Sequence, residues 1–297
     1  MLDFRRIKKY SPPVIILLFL FVVGGVFWFR SPVLVVTDPS FNQLYGSLRL
    51  TLKGAVTSIE FFRRFTTVTV AESAGPDLMS LAVEGSSRTP KAVLFPFRYL
   101  AAAQFYKESH PGVPVLVVGG RNPRPREKTE LSFICTDTAQ DLYRAGLCAA
   151  SFAGKDKGIV FFMDGVLSDA NRKVFQQGLR DQGFSGDPVY LNASADYSAN
   201  SNTGCVVLAG PASKFVERNL TIPVILFSWI DPGITPRSVK LIFDDSPMAM
   251  AAKILKPLPP PGETFIASEP DALGDRMAGK KDFRNIQHLV KENYQKN

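Results

Sequence analysis

The chain has 297 residues, of which 45% are hydrophobic and 21% are charged, and it carries a formal net charge of +8. This composition is typical of a folded protein and excludes both an intrinsically disordered chain and a membrane protein with many spans. Four of the 35 basic residues stand in the first ten positions, so the remainder is only mildly basic. The length accommodates one large α/β domain or two smaller lobes.

An uncharged apolar segment, VIILLFLFVVGGVFWF, extends from Val14 to Phe29 after two prolines that suit the first turn of a helix. It approaches the length of about 20 residues that spans a bilayer. Arg5, Arg6, Lys8 and Lys9 precede it and Arg30 follows it, a bias that places the N-terminus in the cytoplasm. The sequence therefore predicts one N-terminal transmembrane helix in the inner membrane, with the domain on the extracytoplasmic or periplasmic side.

A cleaved secretory signal is the alternative interpretation of this segment. Such signals require small residues at the cleavage site, whereas Phe27, Trp28 and Phe29 are bulky. No cysteine follows directly, which excludes lipid attachment at a mature N-terminus. An uncleaved signal anchor is favoured, and both interpretations export the domain.

After residue 31, short β-branched runs alternate with helical stretches, a pattern that predicts βαβ units around parallel sheets. Most strands are continuous apolar runs, as expected when helices cover both faces. The predicted strands are Val33 to Thr37, Thr66 to Ala71, Ala92 to Phe97, Val115 to Val118, Ile159 to Met163, Val189 to Leu191, Val206 to Ala209, Val224 to Phe227 and Val239 to Phe243. The predicted helices are Phe41 to Phe62, Leu78 to Val83, Tyr99 to Glu108, Ala139 to Phe152, Ala170 to Gln182, Pro247 to Ile254 and Asp282 to Tyr294.

Breaks in this pattern divide the chain into four parts. Residues 1–30 form the basic tail and anchor, 31–131 the first lobe, 132–255 the second lobe, and 256–297 a Pro-rich segment and C-terminal helix. The boundary between the lobes is predicted near Ser132 to Asp137, just after NPRPREKTE, which lacks apolar periodicity. The run PLPPPGETF is expected to form neither helix nor sheet interior. Ser40 and Asp169 are the predicted helix N-caps.

Several functional classes find no support in the sequence. Three cysteines, none spaced as C-x-x-C, argue against a disulfide framework, and two histidines leave no pattern for a metal or cofactor site. Cys148 and Cys205 lie in apolar runs and are expected to be buried, while Cys135 is expected to be semi-exposed. The basic residues Arg121, Arg124, Arg126 and Lys128 lack the stacking aromatics of a nucleic-acid surface.

Enzymatic activity is also not expected, because none of the common catalytic motifs occurs. Asp244 and Asp245 form the one pair of acidic residues considered for hydrolysis. Consecutive strand residues point to opposite faces, which argues against joint action of the two carboxylates.

The run TDPSFNQLYGSL, directly after the first strand, resembles the opening of the basic membrane protein family of substrate-binding proteins. Three further segments follow in the family's order: TAQDLYRAGLCAASFAG, KGIVFFMDG with ANRKVFQQGLRDQGF, and PVILFSWIDPG. The resemblance covers about two thirds of the chain. It implies an α/β, two-lobed periplasmic-binding-protein type I fold and, in its best-known form, binding of purine nucleosides.

Carried over by position, the resemblance makes Phe41 and Asn42 candidates for contact with a base and Asp231 a candidate for contact with a ribose. Strand ends are the expected place for a ligand in a parallel sheet, which adds four further candidates. These are Asp38, Ser40, Asp164 and Trp229. An aromatic face with amide and carboxylate groups suits a nucleobase or sugar ring.

Purely structural roles remain open for these residues. Phe41 could staple its helix to the sheet, and Asp38 with Ser40 could form a capping pair. Trp229 could lie in the core or between the lobes, and Asp164 could end a loop. The loop WIDPG departs from the family's pattern, and NASADYSANSNTG, from Asn192 to Gly204, is short for a crossover helix.

Two functions are therefore predicted. The first is a membrane-anchored, extracytoplasmic solute-binding protein that closes on a small polar ligand, such as a nucleoside or sugar, and serves an ABC-type permease. The second is a divergent relative that acts as an extracytoplasmic sensor or structural partner without the family's ligand.

Overall fold

The computed structural model describes residues 12–39, 47–71, 73–87, 89–119, 130–163, 168–192, 202–209, 221–227, 238–255, 257–272, 277 and 279–294. Its described strands are β1 (Val33–Thr37), β2 (Phe65–Thr69), β3 (Ala92–Pro96), β4 (Val115–Val118), β5 (Ser132–Thr136), β6 (Gly158–Met163), β7 (Val189–Asn192), β8 (Thr203–Ala209), β9 (Val224–Phe227), β10 (Val239–Asp244), β11 (Gly262–Ile266) and β12 (Glu269–Ala272). Its described helices are α1 (Pro12–Phe29), α2 (Ser47–Glu60), α3 (Pro76–Ser86), α4 (Leu100–Ser109), α5 (Thr138–Ala153), α6 (Asp169–Asp181), α7 (Pro247–Ile254) and α8 (Lys280–Leu289).

The strands form two six-stranded sheets with the same order of connection. The first runs β2-β1-β3-β4-β5-β11 and the second runs β7-β6-β8-β9-β10-β12. All pairs are parallel except β10 with β12, which is antiparallel. Each sheet thus begins with the order 2-1-3-4-5 of a doubly wound fold, in which the direction of strand addition reverses between the first and third strands.

Helices cover the faces of the central strands, which explains why those strands are apolar throughout. Every residue of β1, β3, β4, β5 and β9 is buried. Side chains from successive residues point to opposite faces and enter separate apolar clusters, as Val33 and Leu34 do. This confirms the prediction of two parallel-rich sheets that are enclosed by helices.

The chain passes between the two sheets three times, and each crossing is short. The first follows β5 at Asp137, the second follows β10 at Asp245 and Ser246, and the third joins β11 to β12 through residues 267–268. Helix α7 returns to the first sheet, where Met248 and Ile254 pack with Val35. Because all three crossings leave the carboxyl ends of parallel strands, the carboxyl edges of the two sheets face each other.

The structure moves the boundary between the lobes. Strand β5 pairs in parallel with β4, so the first crossing follows Thr136 and the predicted start of the second lobe at residue 132 is too early. The C-terminal part is not a separate segment, because β11 adds to β5 and β12 adds to β10. The expectation that PLPPPGETF enters neither a helix nor a sheet interior is confirmed, because its residues Gly262 to Phe265 begin β11 at the edge of the first sheet. An edge strand forms hydrogen bonds with a neighbouring strand on one side only. Prolines, which lack a backbone N–H, are therefore tolerated directly before it.

Three smaller expectations also change. Helix α6 is capped by Ser168, whose side chain accepts a hydrogen bond from the backbone N–H of Asn171, while Asp169 begins the helix. Cys135 is fully buried in the first lobe rather than semi-exposed. The C-terminal helix ends at Leu289 instead of Tyr294.

Helix α1 precedes β1 and is separated from it by residues 30–32. Within the ranges given above, no helix combines the length and the apolarity that crossing a membrane requires. The transmembrane anchor therefore stays a prediction.

Candidate functional site

The reversal of strand order between β1 and β3 marks the place where open parallel sheets bind ligands. Asp38 follows β1 directly, and Arg98 lies in the 3₁₀ turn Phe97–Tyr99 that follows β3. The two side chains form an ion pair in which Nη2 of Arg98 lies 2.8 Å from Oδ2 of Asp38. The ion pair therefore lies at the switch point of the first sheet, on the edge that faces the second lobe.

The two partners differ in exposure. The carboxylate of Asp38 is fully buried, whereas 35% of the Arg98 side chain is exposed. A buried carboxylate requires a compensating charge, which the guanidinium supplies. The planar guanidinium also lies with its Cζ 5.5 Å from the ring centroid of Tyr99. These contacts hold Arg98 in one orientation and leave part of it accessible from the cleft.

A small pocket lies beside the ion pair, on the other side of β1. It has a volume of about 20 Å³ and is lined mainly by apolar atoms of β1, β2 and the start of α7. Thr37, Thr67 and Ser246 contribute its polar atoms. The pocket thus joins the carboxyl end of β1 to the second crossing.

Hydrogen bonds tie the three crossings to one another. The hydroxyl of Thr136 donates to Oδ2 of Asp245 at 2.8 Å, which joins the first crossing to the second. The backbone N–H of Asp137 donates to the carbonyl of Ile266 at 3.0 Å, which joins the first to the third. Asp244 accepts a hydrogen bond from the backbone N–H of Ser246 at 2.9 Å. The neighbouring carboxylates of Asp244 and Asp245 therefore have separate hydrogen-bond partners.

A buried carboxylate in α5 accepts hydrogen bonds from the third crossing. Asp141 is fully buried and accepts hydrogen bonds from both the backbone N–H and the hydroxyl of Ser268. Burial raises the pKa of Asp141 to about 7, while the hydrogen bond from Ser268 opposes that rise. Lys253 of α7 donates to the carbonyls of Ala267 and Ser268 and pairs with Glu269 at 3.0 Å.

The structure describes one of the seven predicted site residues. Asp38 lies at the carboxyl edge of β1, and its contact with a ligand stays a prediction. The others lie outside the described residues, so their convergence on one cleft stays a prediction; these are Ser40, Phe41, Asn42, Asp164, Trp229 and Asp231. The basic residues 121–128 also lie outside the described ranges.

Arg98 was missed by the sequence analysis. Its signal was a basic side chain two positions after the buried strand AVLFP, within the connection to the next helix. Recognising it required the sheet order, because β3 lies beside β1 rather than beside β2.

Comparison with known proteins finds similarity in structure but not in sequence. No protein family model matches the chain, and no curated protein matches it. Among solved structures, a solute-binding protein of an ABC transporter system from Conexibacter woesei matches with a TM-score of 0.58 and 12% identity, over 88% of this chain and 95% of that one. A transcriptional activator of the comK gene from Bacillus halodurans matches with a TM-score of 0.53 and 10% identity, over 88% and 96% of the two chains.

Identities this low show the fold alone. They support the periplasmic-binding-protein type I fold that the resemblance implied, whereas membership of the basic membrane protein family is not confirmed. The two sheets of order 2-1-3-4-5, joined by three crossings and facing each other along their carboxyl edges, have the architecture of that fold.

Proposed function

We propose that the protein is an extracytoplasmic solute-binding protein that is held at the inner membrane and closes its two lobes on a small polar ligand. The observation that carries this proposal is the ion pair of Asp38 and Arg98, placed at the switch point of the first sheet and facing the second lobe. The ligand would then pass to an ABC-type permease. A nucleoside or a sugar is the proposed ligand class.

The chemistry of the ion pair suits such a ligand. A guanidinium that is fixed by a buried carboxylate presents N–H donors in a defined plane, which orients hydroxyl or carbonyl oxygens. The nucleoside form of the proposal depends on Phe41 and Asn42 for the base and on Asp231 for the ribose. The sugar form depends on the ion pair of Asp38 and Arg98.

The proposed attachment to the membrane is supported by the surface of α1. Its large apolar side chains are exposed to an unusual degree, with Trp28 at 63%, Phe21 at 80% and Phe29 at 89%. Exposed apolar side chains of this size are typical of a segment that contacts lipid.

A second candidate is an extracytoplasmic sensor or structural partner that retains the fold without a transport ligand. The similarity to the comK activator of Bacillus halodurans favours this alternative, since that structure uses the same fold in a regulator. The two candidates differ in whether a nucleoside or sugar stabilises the protein by itself.

The test is a thermal-denaturation screen of the full chain in lipid nanodiscs against purine and pyrimidine nucleosides, pentoses and hexoses. A compound that binds the native state alone raises the melting temperature as its concentration exceeds the dissociation constant. We expect at least one class to do so, and Arg98→Gln to weaken its binding about 10-fold to 100-fold, because a charge-assisted hydrogen bond is lost.

Arg284→Gln, an exposed arginine on α8, is the matched control and should bind as the wild type does. Isothermal titration of both variants separates lost affinity from lost folding. If no compound raises the melting temperature of the wild type, the sensor or structural role is favoured instead.

A further inference from the structure

A cluster of aromatic and basic residues lies at the amino edge of the first sheet, away from the cleft. It is built from the C-terminal end of α1 and from the turn that follows α2 and leads into β2. We call it the amino-edge surface and define it by Trp28, Arg30, Phe62, Arg63 and Arg64.

Direct contacts join the two segments of this surface. The Cζ atom of Arg64 lies 4.7 Å from the ring centroid of Trp28, and that of Arg30 lies 5.2 Å from the ring centroid of Phe62. The rings of Phe27 and Phe62 are 5.6 Å apart. The guanidinium of Arg63 donates to the carbonyl of Ser31. The end of α1 is therefore fixed against the domain.

The turn adopts a backbone conformation that its sequence does not favour. Phe62 has a φ of 46°, in the left-handed region that bulky residues avoid. The surrounding contacts with Phe27 and Arg30 hold it there. Strain of this kind is often found at functional positions, which makes the turn a candidate for one.

Positive charge is concentrated at the same place. Residues 28–32 and 56–65 contain three arginines, against Glu60 as the one acidic residue. Partial burial lowers the pKa of Arg63, and the positive charge of Arg30 lowers it further. An anion placed beside these arginines would relieve their repulsion.

Apolar side chains extend the surface along α2. Val56 and Ile59 lie one helical turn apart near the end of that helix and are 64% and 76% exposed. Together with the exposed Trp28, they give the surface the mixture of apolar, aromatic and basic groups that marks a membrane interface. A free phosphate would account for the arginines but not for these exposed apolar groups.

We propose that the amino-edge surface docks on the anionic phospholipid headgroups of the membrane beside α1. This inference rests on the proposed attachment of α1 to the membrane and adds the lipid class and the orientation. Strand β1 has five residues and spans about 17 Å at 3.3 Å per residue, so its carboxyl end lies well away from the bilayer. The cleft then faces away from the lipid and is free to close.

The test uses the full chain in nanodiscs of pure phosphatidylcholine or of phosphatidylcholine with phosphatidylglycerol. Cys135, Cys148 and Cys205 are all buried, so a polarity-sensitive thiol dye attaches selectively to Ile59→Cys. We expect the emission of the dye to move to shorter wavelength in the discs that contain phosphatidylglycerol. Sodium chloride at about 0.5 M should remove the shift, because it shortens the Debye length to less than about 8 Å.

Charge variants separate specific docking from general attraction. Arg63→Gln with Arg64→Gln should abolish the shift, while Lys281→Gln with Arg284→Gln, which removes the same charge from exposed positions of α8, should preserve it. The measurement in sodium chloride uses the protein with its arginines unchanged. It therefore still tests the proposal if the variant with Arg63→Gln and Arg64→Gln misfolds. A dye on Val189→Cys, in the second lobe, should not respond.

The outcomes distinguish this inference from the proposed function. An unchanged dye at residue 59 in chains that enter the discs overturns the docking surface while membrane attachment stands. Failure of the chain to enter any disc overturns both. The ligand screen reports on solute binding independently of either result.

Discussion

Thr136 ends β5 directly before the first crossing, Asp245 lies in the second crossing, and a hydrogen bond of 2.8 Å from the hydroxyl of Thr136 joins them. Both side chains are buried, so water cannot replace the bond without opening the structure. The backbone bond from Asp137 to Ile266 adds the third crossing. The three crossings are therefore expected to bend as one hinge.

Removing the hydroxyl at this position should destabilise the fold. Thr136→Val keeps the shape of the side chain but deprives the buried carboxylate of Asp245 of a donor, and we expect the free energy of unfolding to fall by about 1–3 kcal/mol. Denaturant-induced unfolding provides the measurement. Thr69→Val, on the exposed edge strand β2, is the control and should change it by less than about 0.5 kcal/mol. If the two changes lower the free energy of unfolding equally, the hydrogen bond from Thr136 to Asp245 makes no particular contribution to stability.

Asp141 should make stability depend on pH in an unusual direction. Burial raises its pKa to about 7 in the folded chain from an ordinary value of 3.8. Between these values the folded chain binds more protons than the unfolded chain, so the free energy of unfolding falls as the pH rises from about 4 to 7. We expect Asp141→Asn to remove this contribution.

The measurement is denaturant-induced unfolding of the wild type and of Asp141→Asn at a series of pH values from 5 to 8. Their difference isolates Asp141 from the other titrating groups. The assignment fails if the wild type gains no stability relative to the variant as the pH is lowered.

Helices α5 and α6 cross at two glycines and approach too closely for side chains. A Cβ on Gly146 would lie 2.3 Å from the carbonyl oxygen of Phe175, and one on Gly178 would lie 2.2 Å from that of Tyr143. We expect Gly146→Ala to lower the free energy of unfolding by about 1–3 kcal/mol or more, because the helices must separate. Calorimetry or denaturant-induced unfolding measures the change.

Gly85→Ala in α3 is the matched control, since no atom lies within 4 Å of a Cβ at that position. Alanine favours the helix by about 0.5–1 kcal/mol over glycine, so this change should have the opposite sign. A similar loss of stability at both positions would show that the close approach of α5 and α6 is not the cause.

The cysteines should be inert in the folded protein. Burial raises the pKa of Cys135 to about 11, and it raises the pKa of Cys148 and Cys205 as well. A thiol reagent at pH 8 should therefore modify none of them until denaturant is added, after which all three should react. Ile59→Cys is the positive control and should react at once. Rapid modification of the native wild type would contradict the burial of these thiols.

The local pattern of apolar residues predicted most of the helices and strands. The apolar runs of β1, β4 and β9 have the bounds that the sequence indicated, because strands covered on both faces leave a continuous apolar signal. Strand β11 was missed, since its sequence GETFI lies on an edge, follows prolines and has no continuous apolar run. Strand β5 was overlooked within the predicted boundary between the lobes.

The candidate site was predicted in part. Asp38 followed from its place after the first strand, where a parallel sheet presents functional groups. Arg98 could not be paired with it by reading the chain, because sixty residues separate the two. Their contact depends on β3 lying beside β1.

The sequence by itself determined the alternation of strands and helices, the apolar N-terminal segment and the burial of Cys148 and Cys205, because each of these depends on neighbours along the chain. Only the tertiary structure decided which strands lie side by side, where the lobes divide and which charges meet. Those features arise from pairing and packing between distant segments, whose free energy depends on the complete fold. The ion pair of Asp38 with Arg98, the bond from Thr136 to Asp245 and the arginines beside Trp28 all belong to this second group.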